Sequence, residues 1–232
     1  MTNPKTNRMV WVTMLLLSVI GVWSALSHYL PQPDAEFVQA FNPPPGKEWF
    51  LEQMPLYDAR PVMTALHVIP AFLFMLMVPL QLARRIRQKN IAIHRWTGRT
   101  FVALSIIMGI VGIAIGIIMP FGGADEVVAS SLIGAGFLCA MTMGVIRIRQ
   151  KQIAAHREWM LRMLAFGFTP VTMRGLMLSG VLLFDLHAPA IFGWSMLVGV
   201  LVNVIIVESW IRHTRPGQQR TATPGTVAAT TA

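Results

Sequence analysis

Two short basic segments carry the chain's most suggestive chemistry. Residues 85–95 read RIRQKNIAIHR and residues 147–157 read RIRQKQIAAHR, matching at nine of eleven positions with an offset of 62. His94 and His156 fall at the same place in the two copies. Arg95, Trp96 and Arg99 follow the first, and Arg157, Trp159 and Arg162 follow the second. Two neutral imidazoles facing each other across a helix bundle are axial metal ligands for a b-type haem, with arginines on its propionates. Gly98, four residues after His94, would admit a flat macrocycle, and Met160, four after His156, would line the same face. The same arginines beside helix N-termini also make a seat for phosphate, carboxylate or an anionic lipid headgroup. The plainest alternative is that they anchor helix ends on anionic lipid.

A second set of residues lies inside apolar stretches. His67 falls about 9 Å into one of them and Arg174 about 15 Å into another, at about 1.5 Å of helical rise per residue. An arginine within a bilayer is costly unless it snorkels or is paired. Arg174 therefore faces His67, a bound anion or the propionate of a second haem, or else it snorkels. His67 reads either as a ligand in that outer site or as a core residue bonded to a carbonyl freed by Pro70. Gln81, Asn203 and Glu208 are the other polar residues in apolar runs. Glu208 is expected to neutralise a basic-end arginine, and Asn203 to bond between helices. Gly112 and Gly116, and Gly136, Ala140 and Gly144, are small-residue packing seams.

The elements that position these residues follow from composition. The chain has 232 residues, 54 % hydrophobic and only 12 % charged, about half the charge of a soluble domain. One cysteine, Cys139, excludes an intrachain disulfide and any cysteine-based cluster. A helix needs roughly 20 apolar residues to cross hydrocarbon. Six stretches qualify, 9–30, 61–83, 99–120, 127–146, 159–184 and 190–211, and none alternates as a barrel strand would. The expected fold is an all-α polytopic bundle of about six spans, with repeated hairpins of spans two–three and four–five. Residues 1–60 supply the first span and an outer loop, 61–213 the core bundle, and 214–232 a disordered tail. The first span also reads as a signal peptide, with Lys5 and Arg8 before its apolar run.

Charge orients the bundle. With the N-terminus inside, sixteen of the nineteen basic residues fall on cytoplasmic segments and eight of the ten acids outside. The net charge of +9 thus reflects the positive-inside rule and not a nucleic-acid footprint.

Leu66-His67, Gln81 and the run His94-Arg95-Trp96-Thr97-Gly98-Arg99 resemble a bacterial membrane family catalogued as domain of unknown function 2306. His156-Arg157-Glu158-Trp159-Met160-Leu161-Arg162, Arg174, Asn203 and Glu208 extend the likeness across residues 60–213. Glu158 departs from it, standing where a second basic residue is expected. The resemblance implies a multi-helix bundle of the bacterial inner membrane, with no activity attached. In helix count and intramembrane histidine the chain also loosely resembles b-type cytochrome bundles.

Three functions compete. One is a haem b redox module on His94 and His156, with a quinone or other redox partner. Another is an anion or proton transporter using Arg174, His67 and the arginine cluster. The last is a lipid-associating structural protein. Whether the chain is an enzyme stays open; it carries no nucleophile motif, phosphate loop or carboxylate pair at catalytic spacing.

Overall fold

The computed structural model describes residues 12–13, 15–22 and 49–215, and among these there are helices and no strands. From residue 49 onward eight helices follow one another: α1 (Trp49–Asp58), α2 (Pro61–Leu82), α3 (Arg84–Lys89), α4 (Ile91–Ile118), α5 (Ala124–Arg149), α6 (Ile153–Gly167), α7 (Thr169–Phe184) and α8 (Ala188–Thr214). Residues 15–22 are helical as well. Among the described residues, five spans are long and apolar enough to cross a membrane: α2, α4, α5, α6 with α7, and α8. They match the last five expected spans. The first span, the loop up to residue 48 and the tail from 216 lie outside the described residues, apart from the helical positions named.

Leu66, Ile110, Leu132, Leu183 and Ile205 are about half exposed or more, so the bundle is belted with apolar side chains. Such a surface belongs in lipid. Inside, Phe74 and Met163 are completely buried, and Phe101 and Phe137 nearly so. The Phe74 ring stacks on Phe101 at 4.4 Å and meets Phe137 edge-on at 5.8 Å. Along α2 this layer separates His67 from Gln81, and along α4 it separates Thr97 from Gly112. Two polar levels are thereby divided by a buried aromatic plug.

Two features depart from the expected layout. A helix, α1, stands in the segment read as outer loop. And span five is two helices, because Pro170 brings no N–H to the ladder and its ring crowds the preceding turn. The chain breaks at Phe168, and α7 restarts with Pro170 in its first turn. Asn203 of α8 staples this break. Its amide donates to the Ala165 carbonyl at 3.0 Å, and its Oδ1 accepts from Thr172 Oγ1 at 2.9 Å. The expected interhelical bond of Asn203 thus ties α8 to both sides of the break.

Candidate functional site

The break in span five opens onto a cavity of about 410 Å³, among the helical segment 15–22, α1, α2 and α4 to α8. That volume suits a small organic ligand. Met75, Met108, Ile115 and Phe137 give it apolar walls, while Tyr57, His67, Glu126 and Arg174 bring titratable groups.

Arg174 stands ten residues before the end of α7, about 15 Å from it by helical rise. A snorkelling arginine would reach for that nearer end. Instead Nη1 donates to the Pro170 carbonyl one turn back, at 3.0 Å, which carries the guanidinium toward the break. The side chain is exposed along the cavity wall. Among the described residues no carboxylate lies within ion-pair reach of it. Among the described residues most of the Arg174 donors are uncommitted.

His67 lines the cavity with it. The bond His67 makes is not to a carbonyl near Pro70 but across to α4, where Nδ1–H donates to the Met108 carbonyl at 3.1 Å. A carbonyl has two lone pairs, so it serves the helix and the imidazole together. With its proton on Nδ1, the neutral ring presents an Nε2 lone pair. Gly112 makes the approach possible: a Cβ there would lie 2.9 Å from His67 Cε1 and 3.2 Å from Nδ1. The seam residue is therefore also the seat of the histidine.

Tyr57 and Glu126 did not stand out in the sequence. Tyr57 lies on α1 and lines the cavity beside Gln53, whose amide donates to its hydroxyl at 3.3 Å. Burial pushes its phenol above the ordinary 10.0, with the Arg174 cation opposing and the Glu126 carboxylate adding to the rise. Glu126 occupies the third position of α5, and its carboxylate accepts from the Gly122 N–H at 2.6 Å. The bond ties the turn before α5 to its first turn.

At the basic end, Asn90 and Gln152 are the N-caps of α4 and α6, and His94 and His156 each stand four residues further on. The two histidines therefore take the same place at a helix start, although Arg84–Lys89 form a helix of their own whereas residues 150–151 turn, with Lys151 at φ 61°. His156 Nδ1–H donates to the Gly144 carbonyl at 2.8 Å, whereas His94 Nδ1 is buried with no partner among the described residues. Neither this cavity nor a second one of about 250 Å³ beside Trp159, Arg162 and Glu208 is lined by the two histidines.

The arginines are divided. Arg162 grips Glu208 through Nε and Nη2 at 2.5 and 3.1 Å, the neutralisation expected of Glu208. Arg99 lies over the outward-facing Trp96 ring at 4.7 Å. Arg95 and Arg157 are exposed. Among the described residues no group of three or more His, Cys, Asp or Glu could hold a metal ion.

Among curated proteins and among solved structures nothing matches the chain. A family model does, over residues 64–211, which include His67, Arg174 and both histidine–arginine segments. The resemblance carried by those motifs holds: the chain belongs to the family described as predicted membrane protein, domain of unknown function 2306 (DUF2306).

Proposed function

We propose that this membrane protein binds an amphipathic molecule with an oxyanion head, a carboxylate or a phosphate, in the cavity beneath α1. The observation that carries the reading is Arg174, folded back toward the break and facing open space with no carboxylate for a partner among the described residues. Placing arginine at the bilayer centre costs about 2.5–3.5 kcal/mol. A ligand oxyanion on its planar fork offsets that cost and accepts two parallel hydrogen bonds. Tyr57 and His67 add a hydroxyl and an imidazole at the same level, and the methionines and Phe137 receive an apolar tail. The aromatic plug favours binding over conduction through the bundle. In detergent, decanoate and decyl phosphate should raise the unfolding temperature of the purified protein, and decanol should not. Arg174→Leu should abolish the effect, with Arg174→Lys restoring little if the grip is two-pointed. Equal shifts from decanol, or an unchanged Arg174→Leu response, would overturn the proposal.

A second reading seats a b-type haem on His94 and His156. The Gly144 carbonyl on His156 Nδ1 favours it, because an imidazole held in this way turns Nε2 toward a metal. Absorption spectra of oxidised and dithionite-reduced protein should then show haem bands that His156→Ala removes. A featureless visible spectrum of protein produced with ample haem would count against it. In either case we infer that the basic end faces the cytoplasm of a bacterial inner membrane, with both termini there, from the charge asymmetry of the loops. Reporter fusions at residues 90, 124, 152 and 187 should alternate inside and outside.

A further inference from the structure

The duplicated arms look alike in sequence but differ in how their charges are satisfied. In each, a tryptophan precedes an arginine by three residues and the guanidinium lies over the indole: Arg99 on Trp96 at 4.7 Å and Arg162 on Trp159 at 4.9 Å. Aligning the arms on these tryptophans places Arg95 against Glu158 and Arg99 against Arg162. In the second arm Arg162 is neutralised within the protein, while Arg157 stays exposed. Glu158 lies one turn before Arg162, at 3.8 Å, and also accepts from Arg215 at 2.9 and 2.7 Å, while Arg162 holds Glu208.

The first arm has the opposite character. Arg95 and Arg99 stand one turn apart on α4 as like charges, an arrangement that destabilises a helix unless an anion lies between them. Among the described residues neither meets a carboxylate within 4.0 Å. Trp96 is 67 % exposed, and Ile91 and Ile93 beside it are each 49 % exposed. Two exposed guanidiniums, an outward indole and apolar neighbours at the end of a membrane span form an interfacial surface. Its polar part has the charge of a phosphate receptor, and its apolar part that of a lipid contact.

We propose that Arg95 and Arg99, with Trp96, form a binding site for the phosphate of an anionic bilayer phospholipid. The Glu208 carboxylate in the second arm is the internal counterpart of that oxyanion: two oxygens on one guanidinium that is itself stacked on indole. The lipid phosphate takes this place in the first arm, Trp96 lies at headgroup depth, and Ile91 and Ile93 meet the acyl boundary. The site is independent of the cavity and stands or falls separately.

The test is titration of the purified full chain in neutral detergent with phosphatidylglycerol, phosphatidylcholine or inorganic phosphate, read as bound lipid by native mass spectrometry and as thermal shift. The wild type should prefer phosphatidylglycerol. The Arg95→Gln/Arg99→Gln variant should lose roughly tenfold or more of that affinity. Its lipid-free unfolding temperature should change little, because the stacking lost from Trp96 and the like-charge repulsion relieved are both small and opposed, and neither arginine has a carboxylate partner to lose among the described residues. Arg149→Gln/Arg212→Gln removes the same charge from exposed positions at the same end and should bind as the wild type does. Equal weakening in both double variants would reduce the site to diffuse charge. Equal affinity for both lipids, or saturation by inorganic phosphate at comparable concentration, would overturn the assignment to an anionic lipid.

Discussion

Gly112→Ala tests whether the cavity histidine is seated by the α2–α4 contact. The added methyl would lie 2.9 Å from His67 Cε1 and 3.2 Å from Nδ1, inside ordinary van der Waals separation. Two responses are open to the bundle. If the helices move apart, overpacking costs about 1–3 kcal/mol. If the ring swings out, it forfeits its bond to the Met108 carbonyl, about 1 kcal/mol. Gly175→Ala is the internal control: a methyl there would meet no neighbouring atom within 4 Å, so exchange should be neutral or gain up to about 1 kcal/mol from helix propensity. The assay is unfolding free energy in mixed micelles for a double-mutant cycle with His67→Ala. Without the ring, Gly112→Ala should cost no more than about 0.5 kcal/mol, the level at which uncoupled sites add. A cost that is the same with and without His67 would refute the reasoning.

Three other outcomes are expected. Asn203→Leu should destabilise by about 0.6–1.7 kcal/mol, the range for polar contacts between membrane helices, and Thr172→Val by less, because the Ala165 carbonyl keeps its amide donor. Arg162→Gln should cost about 1–2 kcal/mol, above an exposed pair and below a buried one, since its side chain is 22 % exposed; Arg215→Gln, 53 % exposed, should cost under about 0.5 kcal/mol, both read by unfolding in micelles. For Tyr57, the raised phenol pKa means that its contribution to stability is complete below the unfolded value near 10 and is lost as pH rises beyond it. Ultraviolet difference titration should show late ionisation, and Tyr57→Phe should soften the alkaline loss of stability.

The spans were legible because each is a long apolar run bounded by charge, a signal local to the sequence. Glu208 was legible for a related reason: an acid at the basic end of a span has few partners other than arginine. The break at Phe168 was hidden within a continuous apolar run, since hydropathy does not register the hydrogen bond Pro170 cannot make. Helix α1 was missed because residues 49–58 carry Pro55 and, at ten residues, are too short to read as a span. The depth of Arg174 could be counted from the sequence, but its direction could not, because that depends on a carbonyl one turn back. His67 was placed in the right span and given the wrong partner. Its bond to Met108 depends on α2 meeting α4 at Gly112, a contact between residues over forty apart.

The most direct test of the central claim is photolabelling with a diazirine-bearing decanoate, with labelled residues mapped by mass spectrometry. The account predicts label on cavity-lining residues such as Met75, Met108 and Phe137, displaced by decanoate but not by decanol, and lost in Arg174→Leu. Label confined to lipid-facing residues such as Ile110, Leu132 and Leu183, at equal yield in Arg174→Leu, would contradict it.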